Sequence, residues 1–332
     1  MTEQTDSQDL ATALLFLDPD RIKPARHGRM VREAAEGALP ALIDIVAAYQ
    51  ASIIRVANAA VLAYRMAWMA GFDETTQAIH AKAVLAALDQ KIPDDAEYRA
   101  EVVRIKAEEL ARLPNDGRLD VVKIRAFERL GRYLRVDQDM FVESSHDVLL
   151  QAVAGLWGGF ETLVGDILRC TLNAYPELAR RLFDDPVAAR KIQTEKFSAR
   201  DLLDHGLDFR ATFGDVVLRN NDLSDLESIK AVVLALYGRD EELVAAFESP
   251  TLRLLSKLRN LVVHRGGVVD SNFVRAVGDR WAVGQVVRLS TADLESFFEA
   301  SQLASVALAS ALPRQAHSTS AFSDSSGNAR AN

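Results

Sequence analysis

The chain has 332 residues, 49% of them hydrophobic and 26% charged, a balance that excludes wholly disordered, collagenous and membrane-embedded classes. Its formal net charge of −8 excludes a chain-wide attraction to polyanions, so any anion site must be local. At about 150 residues per domain, the length predicts two domains.

A single cysteine, Cys170, cannot form an internal disulfide, and the first residues (MTEQTDSQDL) carry neither a basic leader nor an apolar run. Both features predict a cytoplasmic protein without a membrane association. Thirty of the 39 basic residues are arginine. That bias suits bidentate contacts to phosphate or carboxylate, and equally follows from genome composition.

Residues 1–26, polar and containing Pro19 and Pro24, read as a flexible arm with little periodicity beyond Leu10–Leu17. Residues 27–136 read as an N-terminal all-helical domain of about four helices. Leu42, Ile45, Val46, Tyr49, Ile53, Val56 and Ala60, then Val84, Leu85 and Leu88, recur at helical spacing. Turn residues predict breaks at 71–73, 92–94 and 114–117. The densest apolar stretch, 41–68, reads as buried helix rather than a membrane span, because Asp44, Gln50, Arg55, Asn58 and Arg65 would have to enter lipid.

After a polar joint at 136–145, a long helix is predicted over 148–175, with Leu149, Val153, Leu156, Phe160, Leu163, Ile167 and Cys170 on one stripe. The stripe makes Cys170 a buried core thiol. Gly158 and Gly159 each cost about 1 kcal/mol of helix propensity, which predicts close approach of another backbone, within the chain or across subunits. Further helices are predicted at 199–207, 223–236 and 250–264, the last with Ser249 as N-cap, Pro250 at its first position and Gly266-Gly267 as its stop. Trp281, Val283, Val286 and Val287 among glycines predict a small β-hairpin at 274–288. A capping box of Ser290 and Asp293 opens a closing helix that ends before Pro313, and the Ser-rich 313–332 reads as a disordered tail. The fold class expected is all-α.

Most catalytic signatures are missing: there is no phosphate-loop motif, no G-x-G-x-x-G, no HExxH and no Cys/His set at zinc-ligand spacing. What remains is Ser256–Asp270, SKLRNLVVHRGGVVD, where Arg259 and His264 stand five apart at the end of an amphipathic helix. Three Arg-x4–6-His pairs occur in the chain, and about 1.6 are expected by chance, so context decides. Arg21 with His27 lies in the proline-containing arm, and Arg200 with His205 has Asp201 and Asp204 beside it; both are set aside. Only the third has Asn260 after the arginine, an apolar Leu261-Val262-Val263 run, and Gly266-Gly267 following His264 and Arg265.

In this form, RN-apolar-H-x-G-G, the segment resembles the motif of the HEPN superfamily, and the resemblance covers about residues 143–312. It implies an all-helical domain with a long first helix, a late motif helix and a long closing helix. Many members are metal-independent ribonucleases, usually homodimers whose motif helices face each other across a two-fold axis. Carried onto this sequence, His264 would transfer a proton, Arg259 would hold the scissile phosphate, and Asn260 would orient one or the other. Arg253, Lys257 and Arg265 would be accessory phosphate contacts. Glu161 matches an acidic position of the family that could hold Arg259; a solvent-facing glutamate is the alternative. No metal and no cofactor are implied. The partners implied are RNA, a second copy of the chain, and an antitoxin or regulatory protein.

Helical geometry bears on these roles. Taking Arg253 as zero, Lys257, Asn260 and His264 fall within about 40° of it, while Leu254, Leu258, Leu261 and Val262 occupy the opposite arc. Arg259 lies about 140° from His264, so either the helix unwinds or two subunits meet. Between Thr251 and Arg280 six basic residues face two acidic ones, net +4 in a chain of −8. With no metal-ligand pattern, a substrate that brings its own nucleophile is required, and the ribose 2′-hydroxyl of RNA does so. Two functions are therefore expected as alternatives: an endoribonuclease of toxin, phage-defence or RNA-processing type, or a noncatalytic helical module binding nucleotide, nucleic acid or protein. His264 by itself also suits a helix C-terminus, where the dipole favours a cation.

Overall fold

The structure is a computed structural model and describes residues 22–113, 122, 138–192, 203, 212–219 and 223–323. The predicted arm up to residue 21, the break at 114–117, the helix at 199–207 and the end of the tail at 324–332 lie outside the described residues, apart from residue 203, which is helical.

The fold is all-α. The helices are α1 (Pro24–Ala34), α2 (Leu42–Ala60), α3 (Leu62–Asp89), α4 (Asp95–Arg112), α5 (Gln138–Ala174), α6 (Ala179–Asp184), α7 (Ala188–Lys191), α8 (Phe213–Leu218), α9 (Leu226–Tyr237), α10 (Glu241–Phe247), α11 (Pro250–Arg265), α12 (Ser271–Val277) and α13 (Thr291–Ser323). Among the described residues the β structure is one isolated antiparallel bridge, Val268 with Val286.

The described chain divides into two compact units: one contains 61–113 and 138–147, the other 22–60 and 148–323, with the division falling inside α5 after Asp147. In the first unit, α3 and α4 form a helical hairpin. Lys91 adopts a left-handed conformation (φ 51°) at the turn, and Asp94 caps α4 by accepting from the backbone N–H of Ala96 and Glu97, both at 2.8 Å. Ala83, Ala87 and Val102 form the small core between them, with Val84, Tyr98 and Ile105 against it. The predicted break at 71–73 is absent: α3 runs through it, with Thr75 donating back to the Gly71 carbonyl at 2.9 Å and Trp68 stacked on Phe72. One glycine costs a helix only about 1 kcal/mol, too little to end it without a turn residue in the left-handed region. The break falls instead at Val61, splitting the dense apolar stretch without a glycine or proline.

The second unit carries the main core. Leu149, Val153, Leu156, Phe160, Leu163 and Ile167 of α5 are all buried, as their spacing predicts. They join Ile229, Val232 and Val233 of α9, Leu252, Leu255 and Leu258 of α11, and Phe297, Phe298 and Leu308 of α13. Trp157 is fully buried and donates its indole N–H to the Ser224 carbonyl at 3.1 Å. Cys170 is half-buried rather than sealed in the core, because it lies at the rim of an open cavity of about 460 Å³ between Leu39–Ile45 and the end of α5.

The domain boundary expected near residue 27 moves. Residues 22–60 pack with 148–323 rather than with α3 and α4. A Cβ on Gly155 would stand 2.9 Å from Val56 Cγ2, and one on Gly159 would stand 3.2 Å from Ser52 Oγ, so small residues on α5 admit α2. The close approach predicted for Gly159 is therefore made within the chain, whereas Gly158 faces open space. By length and composition α2 and Glu143–Ala174 could each cross a membrane. In this fold Leu42, Val46, Tyr49, Ile53, Ala57 and Ala60 of α2 are buried on one face.

Two further expectations are corrected. The hairpin at 274–288 does not form: Asp270 accepts from Phe273 N–H at 2.8 Å and starts α12, which takes the first residues of that stretch up to Val277, and 284–287 instead bonds back to 267–269 around the Val268–Val286 bridge. The closing helix does not stop before Pro313 but continues to Ser323. Proline is compatible with the helical φ, so a helix can run on past it at a cost of about 3 kcal/mol. Its start matches expectation: Ser290 Oγ accepts from Asp293 N–H at 3.2 Å, and Asp293 accepts from Ser290 N–H at 2.8 Å.

Candidate functional site

The site is built on α11. Ser249 Oγ accepts from Leu252 N–H at 3.4 Å and Pro250 takes the first position, so the start lies where sequence placed it. At the other end Gly266 is left-handed (φ 59°) and returns its N–H to the Val262 carbonyl at 3.0 Å. Gly267 donates to the Leu261 carbonyl at 3.2 Å. Leu252, Leu255, Leu258, Leu261 and Val262 are buried; Leu254, assigned to the buried arc, is only half-buried, and Leu255 takes its place.

The opposite face carries Arg253 and His264, both exposed, and Lys257 and Asn260, both half-buried. Among the described residues Arg253, Lys257 and His264 have no hydrogen-bond or ion-pair partner on their side chains. Their charges are not neutralised locally, so an incoming anion does not have to displace a carboxylate.

Arg259 behaves differently. Its Nη1 donates to Asn260 Oδ1 at 2.9 Å and its Nη2 to Glu161 Oε2 of α5 at 3.4 Å, with both charged side chains about three-quarters buried. Glu161 is thus turned to Arg259 rather than to solvent, and Asn260 also engages the guanidinium. Arg265, expected as a phosphate contact, is exposed and leans on Asp270 at 3.5 Å. Arg280, counted in the local positive charge, is paired with Asp293 at 2.7 Å and lies 4.3 Å over the Trp281 ring. The local field is accordingly weaker than the formal count, and among the described residues its members without a carboxylate partner are Arg253, Lys257 and Arg275, the last bonded only to the neutral Asn272 at 3.4 Å; His264 lies beside the first two.

α11 does not unwind at His264; it is helical through Arg265. Arg259 and His264 therefore stay about 140° apart on one helix, and a single protomer does not aim both at one phosphate. Sequence reasoning missed the apolar rim: Val263, Val268, Val283 and Val286 are exposed by 54%, 38%, 61% and 41%, which marks this end of the unit as a surface able to meet another molecule. Valines carry no sequence signal for exposure, since their type reads as core. Among the described residues no group of three or more His, Cys, Asp or Glu side chains is placed to hold a metal ion. Comparison with protein-family models, curated proteins and solved structures returns no match.

Proposed function

We propose that the chain is a HEPN-type endoribonuclease that cleaves RNA without a metal and acts as a homodimer, with His264 and Arg259 contributed around a composite cleft. The observation that carries this reading is the Arg259–Glu161 contact at 3.4 Å, the pairing that the resemblance implies and that an unrelated surface arginine has no reason to make. The exposed His264 at a capped helix end and the unpaired Arg253 and Lys257 leading to it add support.

In the chemistry that follows, the 2′-hydroxyl attacks the adjacent phosphorus and the bond to the 5′-oxygen breaks, leaving a 2′,3′-cyclic phosphate and a 5′-hydroxyl. His264 either takes the hydroxyl proton or supplies one to the leaving oxygen, a service worth roughly 10² to 10⁴ in rate. The guanidinium of Arg259 offsets charge gathering on the phosphoryl oxygens. DNA, lacking the hydroxyl, is inert. The same reading takes the protein to be cytoplasmic, of toxin, phage-defence or RNA-processing type, with an antitoxin or regulatory protein as partner.

One observation favours a second reading. Arg259 already serves Asn260 and Glu161 on the side of α11 away from His264, an arrangement that equally suits a noncatalytic module in which the pair is structural. The two separate on one experiment. Mixed RNA is incubated with the pure protein in EDTA, beside His264→Ala and Arg259→Ala. The enzyme reading expects cyclic-phosphate ends from the parent and at least a hundredfold loss in both variants; no cleavage, or cleavage equal in all three, leaves the binding module.

A further inference from the structure

A second polar cluster lies inside the 22–60 and 148–323 unit and has no part in the α11 site. His27 of α1 is fully buried, as are Ser301 and Ser305 of α13, and Tyr49 of α2 is nearly so. Tyr49 Oη stands 3.0 Å from His27 Nε2, 2.9 Å from Ser305 Oγ and 3.2 Å from Ser301 Oγ. Counting hydrogens settles who donates. Ser305 Oγ gives its one hydrogen to the Ser301 carbonyl at 2.7 Å, so toward Tyr49 it only accepts. The tyrosine hydrogen goes to Ser305, and its oxygen accepts from Ser301 and from His27 Nε2–H. His27 is held as the neutral Nε2–H tautomer, and its Nδ1 lone pair is buried with no partner among the described residues.

A proton on Nδ1 would create a buried cation with an unpaired N–H, which is costly. Among the described residues nothing nearby offsets it. The charged side chains on the adjoining turns are Lys23 at the cap of α1, Arg26, Arg29 and Arg32 on α1, Asp44 and Arg55 on α2, and Glu299 on α13; all are exposed and none bonds to the His27 ring. Tyr49 stays neutral, its hydroxyl pushed up to about 12 by burial. α1 lies closely against α2 and α13, with Gly28 so near Gln50 that a Cβ there would overlap its side chain. Its apolar anchoring is slight: Val31 is its one buried large apolar side chain, and Arg32 to Gln50 at 2.9 Å and Gln302 to Met30 Sδ at 2.7 Å complete its described contacts by hydrogen bond.

We propose that α1 is an acid-released clasp, in which protonation of His27 detaches the helix from α2 and α13 while the bundle around α5 and α11 stays folded. Burial lowers the His27 imidazole from 6.5 to about 4. In the released helix the ring regains its ordinary affinity near 6.5. The clasp is therefore fully closed above that value and weakens as pH falls through the window between the two, about tenfold per pH unit and roughly 150-fold by pH 4. α13, which the clasp grips, also packs against α11, so release bears on the element beneath the candidate site. The proposal is independent of RNA chemistry.

The test is hydrogen exchange by mass spectrometry on the full chain at pH 7, 5 and 4, corrected for intrinsic rates. Peptides covering residues 22–36 are expected to open about 20-fold more at pH 5 than at pH 7, with peptides from α5 and α11 changing less than threefold. His27→Gln keeps a donor toward Tyr49 but cannot titrate, and is expected to make α1 insensitive to pH. Loss of protection everywhere at once, an α1 that ignores pH, or a His27→Gln protein with the parent's pH profile each overturns the clasp. If the variant does not fold, NMR titration of the His27 ring in the parent decides: a folded-state value near 4 supports it and one near 6.5 overturns it.

Discussion

Arg259 bridges two acceptors with different demands. Asn260 sits next to it on α11, so that contact survives any change in α5; Glu161 comes from 98 residues earlier and fixes the guanidinium relative to the bundle. With about a quarter of each side chain exposed, the ion pair contributes on the order of 0.5–1 kcal/mol to folding after solvent screening. Glu161→Gln keeps the shape and an acceptor but drops the charge. If Glu161 is a positioning residue, the variant melts close to the parent, yet its RNA turnover falls about tenfold in kcat with little change in KM. Equal kcat would show the pair to be structural. Arg259, Asn260 and His264 were legible because their signal is local: residues five apart, an apolar run, two glycines. His27 was set aside on the same local test: its partner Tyr49 lies 22 positions away, and the serines that hold Tyr49 lie 252 and 256 positions beyond that, which leaves no trace in spacing.

Helix ends follow the same division between local and distant causes. Both ends of α11 and the starts of α4 and α13 were readable because a capping side chain or a left-handed glycine sits within three residues of the end it satisfies. The break at Val61 has no such residue, and the uninterrupted passage of α3 through Gly71 depends on packing within its unit. α12 was missed because its cap, Asp270, was taken as part of the motif's flank and valines downstream resemble a strand. The cap at Gly266 has a consequence for the site: His264 is placed by a backbone that turns left-handed two residues later. Gly266→Val puts a β-branched side chain at φ 59°, a conformation L-residues avoid, and is expected to cost about 1–2 kcal/mol. Because a Cβ there meets nothing within 4 Å, the loss would come from strain alone. Denaturant midpoints of the variant against Gly266→Asn, which tolerates that region better, separate strain from lost space: asparagine should recover most of the difference.

At the scale of the whole chain, the two units differ most in how much they bury. The unit containing 61–113 and 138–147 has few enclosed apolar side chains among its described residues, chiefly Ile79, Ala83, Ala87, Val102 and Leu113, and four of these are small or β-branched. It also leaves Leu62, Met66, Met69, Leu85, Leu88 and Val103 more than half exposed. The other unit encloses Trp157, Phe160, Phe247, Phe297 and Phe298 with a dozen or more leucines, isoleucines and valines around them. At about 25 cal/mol per Å² of apolar surface removed from water, burial of this kind sets the stability of each unit separately. Unfolding of the chain should therefore not be two-state. In rising urea at neutral pH, amide protection in α3 and α4 is expected to disappear at a lower concentration than in the 148–174 part of α5, α9 and α11, and tryptophan fluorescence should split accordingly, since Trp68 reports the first unit and Trp157 the second. A single transition with all peptides lost together would mean that the first unit draws its stability from the second, and that α3–α4 cannot open as a separate module.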